Sequence, residues 1–426
     1  MASIGLNSAR GPEASSSPRP TGGRPVVVGI ISYNDADTVG EVVRRVSVGL
    51  AEHASDGCLV LADGGSTDRT VKRAEEAVAV GCPLITVEYP RLAPDPLAAP
   101  YHGWSGRGPA ILSVLRTAAL RGAAGCAVID ARLTSVSSEW IPQLLEPVIS
   151  NEFDYVAPYY ERHPHEGAIT KSVIAPVFRA LYGVRLRQPA GGEFGCSSRL
   201  LQHLLGQAYW ADKDVDSGID LWIASAAAVG GFRICETALG SRTHVVKEEP
   251  PDVSTALAQV VGGLFADVEA RAEFWQRIRG SQPPPVFGKF RGELPPSPTV
   301  DVEPMLDRFR LGFHALRDVW AWVLSPRTIL ELKASAEAPT ARFRFGNELW
   351  TQVVYDFALA YRARSMPHEH LLGALTPLYL GWLASFVEQT RGALDIDHRL
   401  EQLGEAFEMK KPYLIAGWRW PERFRA

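Results

Sequence analysis

The stretch Val26-Val27-Val28-Gly29-Ile30-Ile31-Ser32, closed by Tyr33-Asn34-Asp35, decides the fold. It is a continuous apolar, mostly β-branched run without polar alternation, the pattern of a strand buried on both faces. Val39, Val42, Val43 and Val46 follow at helical spacing, with Asp37 or Thr38 placed to cap the first turn. A second strand over 58–62 stops at Asp63-Gly64-Gly65-Ser66-Thr67-Asp68 and leads into a helix over 70–80. A third strand over 84–89 enters a loop rich in Pro, Ala and Gly over 90–108, and a helix over 110–121 leads to a strand over 126–129. Strands and helices alternating in this way predict an α/β fold. Its sheet is mostly parallel and Rossmann-like, with flanking helices and ligands at the carboxyl ends of the strands.

Outward from that core the pattern changes. Residues 1–24, rich in Ala, Ser, Gly and Pro, have no apolar segment of the signal-peptide type and read as a disordered tail. Past Trp140 helices mix with short strands, including 155–158 and 232–235. Helical periodicity then dominates over 253–279, 304–324, 346–364, 370–391 and 397–409, with a Pro-rich stretch over 283–298 between the first two. We therefore expect an α/β domain over 25–250 and an α-helical C-terminal domain over 251–426. Aromatic residues on the late helices (Trp320, Trp322, Trp350, Tyr355, Phe357, Tyr361, Tyr379, Trp382, Phe386) read as core or subunit interface, and a homo-oligomer is expected.

Charge and cysteine usage narrow the class. The 426 residues carry a net charge of −4 with both signs interspersed, so no basic footprint argues for nucleic acid. The five cysteines (Cys58, Cys82, Cys126, Cys196, Cys235) include no CxxC pair and read as reduced thiols of a cytoplasmic protein. Cys196 reads as a packing residue rather than a nucleophile. No apolar run looks long enough to span a bilayer, so no membrane partner is expected.

Three carboxylates, Asp35, Asp63 and Asp130, fall at or just after strand ends and converge on one edge of the sheet. Asp63 on its own is equally readable as a turn residue, since Asp-Gly is common turn chemistry. With Ser32-Tyr33-Asn34-Asp35 before it and Asp130 after it, the ligand-binding reading is the stronger one.

These motifs resemble the signatures of GT-A glycosyltransferases of the family-2 kind. Glu139-Trp140-Ile141, Tyr159-Tyr160-Glu161-Arg162, Ala168-Ile169-Thr170, Gln188-Pro189-Ala190-Gly191-Gly192-Glu193, Gly218-Ile219-Asp220 and His244 stand in the order found in the mannosylglycerate and glucosylglycerate synthases. The resemblance extends loosely into the tail through Phe345-Gly346-Asn347-Glu348-Leu349-Trp350. It implies retaining transfer of a hexosyl group from a nucleoside diphosphate sugar, GDP- or UDP-linked, to a small polar acceptor such as glycerate. It places Ser32, Tyr33, Asp35, Asp63, Arg107, Asp130 and Arg132 on the donor side, with Arg107 where the family has Lys. Asp220 is implied as the carboxylate beside the donor sugar, and Arg162, Thr170, Gly191, Gly192 and Glu193 as the acceptor side.

The chain departs from that pattern at Asp130-Ala131-Arg132, where the family has Asp-x-Asp for a divalent metal. A guanidinium in place of a carboxylate repels a cation, so no cofactor is expected, and Arg132 joins Asp220 as a candidate catalytic residue. If Mg²⁺ or Mn²⁺ does bind, Asp130 and His244 are its candidate ligands. Two other readings stay open. One is a natural-product glycosyltransferase with a different acceptor, including a thiol as in lincosamide-type pathways; the other is a pseudoenzyme that only binds nucleotide sugars. His163 and His165, beside Arg162, read as a solvated loop or as contacts to such an altered acceptor.

Overall fold

The computed structural model describes residues 25–91, 106–150, 152–163, 165–211, 218–245, 252–289, 300–391 and 396–421, so the tail over 1–24 and most of the 90–108 loop lie outside the described residues. The strands are β1 (Val26–Ser32), β2 (Gly57–Asp63), β3 (Leu84–Glu88), β4 (Gly125–Asp130), β5 (Tyr155–Glu161), β6 (Phe194–Ser197), β7 (Ile234–Ser241) and β8 (Val286–Phe287). They form one eight-stranded sheet in the order β3-β2-β1-β4-β6-β5-β7-β8. Pairing is parallel throughout except at β6, which runs antiparallel to both β4 and β5. The layout is the expected α/β one, a mostly parallel sheet with flanking helices followed by an all-helical C-terminal part.

Every residue of β1, β2 and β4 is buried, which is why these strands show no polar alternation. The register sets Ser32 beside Asp63 and Ile31 beside Asp130, so the expected strand-end residues share one edge of the sheet. The helix Arg107–Leu120 lies directly on β1, because Gly29 has no side chain: a Cβ there would come within 2.2 Å of a Val114 methyl. That close approach carries the first residue of the helix, Arg107, to the same edge.

Two features cross the boundary expected at 250/251. Strand β8 extends the sheet beside β7, and one apolar core runs continuously from Val27 to Trp418. The helix Ile396–Arg419 packs on Ala175–Tyr182, where Lys411 Nζ donates to the carbonyls of Ala180 (2.8 Å) and Ile278 (3.0 Å). The indole of Trp350 donates to Ser172 O at 2.9 Å. Trp320, Trp350, Tyr355, Phe357, Tyr379, Trp382 and Phe386 are buried as expected, whereas Trp322 is 64% exposed. One sequence expectation is corrected: by length and composition the helices Val253–Ala270 and His368–Thr390 could each cross a membrane. In this fold His368–Thr390 is apolar because neighbours surround it, including Trp350 stacked on its Trp382.

The contact at Gly29 can be tested directly. Gly29→Ala is expected to lower unfolding stability by about 1–3 kcal/mol through overpacking against Val114. Adding Val114→Ala, which removes the clashing methyls, should make the two effects clearly non-additive in urea-denaturation cycles; simple additivity would show that the contact is not tight.

Candidate active site

The turns after β1 and β2 are knitted into one unit. Asp63 accepts from Ser32 Oγ (3.0 Å), Ser66 Oγ (2.6 Å) and the Ser66 N–H (2.7 Å). Asn34, at φ +52°, donates its N–H to Ser66 Oγ (2.8 Å) and accepts from the Thr67 N–H (2.8 Å). The Asp35 N–H donates to Thr70 Oγ1 (2.6 Å), and Asp35 Oδ2 accepts from the Tyr33 N–H (2.9 Å). Asp35 and Asp63 are both buried. In this structure their contacts belong to the turns themselves, which is the structural reading weighed for Asp63. Above them Arg91 lies over the Tyr33 ring, its guanidinium carbon 3.3 Å from the centroid, a flat and partly exposed stack that sequence reasoning missed.

Beside this unit sits a buried cluster of charges. Arg107 and Asp220 lie in the first turns of the helices Arg107–Leu120 and Ile219–Val229, each entered through a left-handed glycine, Gly106 and Gly218. Arg107 Nε donates to both Asp220 oxygens (3.2 and 3.0 Å), its Nη2 to Asp220 Oδ1 (3.0 Å), and its Nη1 to Asp130 Oδ2 (3.5 Å). Nη2 also donates to the carbonyl of Gly192. Arg132 closes on Asp130 from the other side: its N–H (2.9 Å) and Nε (3.2 Å) reach Oδ1, and its Nη2 (3.0 Å) reaches Oδ2. All four residues are at most 6% exposed. Burial by itself would raise the pKa of Asp130, but the guanidiniums of Arg132 and Arg107 outweigh it and hold the carboxyl below its ordinary range. The sequence-predicted residues Arg107, Asp130, Arg132 and Asp220 are thus brought together in one network.

The acceptor-side residues are placed less uniformly. Glu193 is buried and holds Arg242 (3.1 and 3.3 Å), and it accepts from the hydroxyl of Tyr160. Arg242 was not singled out from sequence, and Tyr160 stood there only within its motif, without a role. Gly191 is small for a packing reason, since a Cβ would come within 2.3 Å of Pro158 Cγ. Gly192, at φ +101°, turns its carbonyl to Arg107. Gln188 continues the sheet as a side-chain rung, donating to Tyr160 O (2.9 Å) and accepting from the Tyr160 N–H (3.4 Å) at the β5 irregularity.

Nearby, Thr170 opens the π-helical turn Thr170–Ile174, and Arg162 approaches the Tyr160 ring at 5.5 Å. His163 is buried rather than solvated, and His165 contacts Thr390 Oγ1 at 3.1 Å, so these histidines pack between the two parts of the chain. Lys171 Nζ donates to His163 O at 2.9 Å; burial, then the charge of Arg162, push its pKa down to about 8. A lysine in a loop-like sequence gave no signal of this.

His244 bridges Leu133 and is exposed at one side. Partial burial, then the guanidiniums of Arg242 and Arg132, push its pKa down. Among the described residues no group of three or more His, Cys, Asp or Glu side chains could hold a metal. A divalent cation on Asp130 and His244 would have to take the Asp130 oxygens that Arg132 holds.

No family model matches the chain, and no curated protein matches it significantly. Among solved structures, glucosyl-3-phosphoglycerate synthase from Mycobacterium tuberculosis with phosphoglyceric acid is 22% identical, over 58% of this chain and 80% of that one, at a TM-score of 0.38. The same enzyme with Mn²⁺, uridine diphosphate and glucosyl-3-phosphoglycerate is 21% identical over 57% and 80%, at 0.39. A mycobacterial protein is 24% identical over 58% and 75%, at 0.40. Likenesses this distant lend no chemistry to the present chain.

The pairing of Asp130 has a pH signature. Because its folded pKa lies below the ordinary 3.8, its stabilisation is complete above that value and is lost as pH falls toward the folded pKa. Arg132→Ala removes the stronger partner, so the variant should unfold in acid at a higher pH midpoint than the parent; an unchanged midpoint by circular dichroism would refute the pairing.

Proposed function

We propose that the chain is a glycosyltransferase that moves a hexosyl group from a nucleoside diphosphate sugar to a small polar acceptor. The observation that carries this reading is the convergence of Arg107 and Arg132 on Asp130, with Asp220 held on the far side of Arg107, at the carboxyl edge of a mostly parallel sheet. Two guanidiniums supply forked donors suited to a diphosphate, and ligands bind at this edge in open α/β sheets. The resemblance of the motifs around these residues to GT-A enzymes supports the same reading.

In this reading the Tyr33–Arg91 stack borders the nucleoside, and Asp35 and Asp63 shape the turns beneath it. The diphosphate draws Arg107 and Arg132 toward itself, and they stabilise the charge that builds on the leaving group, the task a divalent metal performs elsewhere. Asp220, freed from Arg107, stabilises positive charge at the anomeric carbon. Transfer proceeds with retention, and the acceptor supplies the nucleophile, a hydroxyl or a thiol. Arg162, Lys171 and Thr170 form the acceptor side and favour one that carries an anionic group, such as glycerate. The Glu193–Arg242–Tyr160 network positions the Gly192 loop between the two halves.

Incubation with UDP- and GDP-hexoses, with glycerate or a small thiol as acceptor, tests this directly. Turnover is expected with one nucleotide and should persist in excess chelator. Strict dependence on Mg²⁺ or Mn²⁺ would overturn the role given to Arg132, and nucleotide binding without turnover would favour a pseudoenzyme. Asp220→Asn should cut turnover by roughly 10²–10³-fold while nucleotide affinity measured by calorimetry changes little. Parallel loss of both would mean that Asp220 serves binding and not transfer.

A further inference from the structure

A cavity of about 550 Å³ lies in the helical part. Its size is that of a small-molecule pocket. Its wall is aromatic: Trp382 is stacked between Trp350 (5.7 Å between centroids, 23°) and Phe386 (5.1 Å, 16°), and Trp382 and Phe386 line the cavity. Its polar lining includes two arginines, Arg344 from the segment before the helix Asn347–Ala363 and Arg399 from the helix Ile396–Arg419.

These two arginines differ from those that hold carboxylates elsewhere in the fold. Arg107, Arg132, Arg179, Arg187, Arg199 and Arg242 each hold a carboxylate. Among the described residues Arg344 and Arg399 hold none: Arg344 donates to the carbonyl of Phe343 (2.7 Å) and Arg399 to the amide oxygen of Gln389 (3.3 Å). A guanidinium carries five N–H donors, so each retains most of its capacity. Of the acidic groups in the lining, Glu331 is paired with Arg327 at 2.9 Å, and Glu348 is exposed, as is Arg344, while Arg399 is half-buried. The first turn of the helix Asn347–Ala363 opens on the same cavity with no side chain capping its amides, which adds to the positive potential of the arginines.

We infer that this cavity is a second ligand site, separate from the charged cluster at the sheet edge, and that it takes a small anion with a flat apolar body, an aromatic carboxylate or phosphate monoester. The guanidiniums bind the anionic head as forked donors, and the apolar body meets the cavity-facing edge of the Trp382–Phe386 stack. The inference does not depend on the glycosyltransferase reading, because none of its residues belongs to that cluster.

Calorimetric titration of the full chain with phenyl phosphate, phenylacetate and inorganic phosphate tests it. Phenyl phosphate or phenylacetate should bind, more tightly than inorganic phosphate, and the double variant Arg344→Gln/Arg399→Gln should weaken that binding by roughly tenfold or more. The single variant Arg399→Gln should weaken it by a smaller factor, which keeps the test informative if the double variant folds poorly. Asp220→Asn should leave it unchanged. Absence of binding by both aromatic probes, inorganic phosphate binding as tightly as either, affinity unchanged in the arginine variants, or loss of binding in Asp220→Asn would each overturn the assignment.

Discussion

The structure depends on what it takes to bury one cation. The guanidinium of Arg107 is sealed from water and draws its partners from three distant stretches: Asp130 at the end of β4, Asp220 at the start of the helix Ile219–Val229, and the carbonyl of Gly192. A charge in so dry a place is tolerable only when its donors are met, and removing one partner strands the rest. The close seat of its helix on Gly29 and the left-handed entries at Gly106 and Gly218 all serve to bring these groups to one point.

The same electrostatics explains the departure at Arg132. Asp130 meets two cations and stays ionised well into acid, so the positive charge at this edge of the sheet is built into the polypeptide. Formal charge in the cluster is balanced, two guanidiniums against two carboxylates, as a buried network requires when no ligand is present. In the proposed reading a dianionic ligand exchanges partners with Asp130 and Asp220 instead of entering a region already strongly positive.

Much of this was legible in the sequence, and the reasons are physical. Strands β1, β2 and β4 announced themselves because burial on both faces leaves an unbroken apolar run. Asp130 could be nominated because a strand end fixes where it emerges, whereas Arg107, Arg132 and Asp220 were nominated through the resemblance to GT-A glycosyltransferases. Strand β6 was not legible: Phe194-Gly195-Cys196-Ser197 is too short for any period, and its partners lie far away in the chain. Strand β8 hid in a Pro-rich stretch. The roles of Arg242 and Tyr160 escaped because their importance comes from Glu193, a contact between three separate segments. Asp63 was weighed as a turn residue, but the bonds that tie the turns of Asp35 and Asp63 together were not foreseen, since hydrogen bonds between two loops leave no trace in spacing.

Strand β6 has one more implication. Its neighbours leave the sheet at the edge where the charged cluster sits, whereas β6, running the other way, enters the sheet there. One bank of the cleft is therefore made of chain on its way out and the opposite bank of chain on its way in. The outgoing turns must restart helices at fixed distances and tolerate little change in length. The incoming segment from Gln188 to Glu193 is fixed instead by its own contacts, Gln188 on the Tyr160 backbone, Gly191 against Pro158 and Glu193 on Arg242.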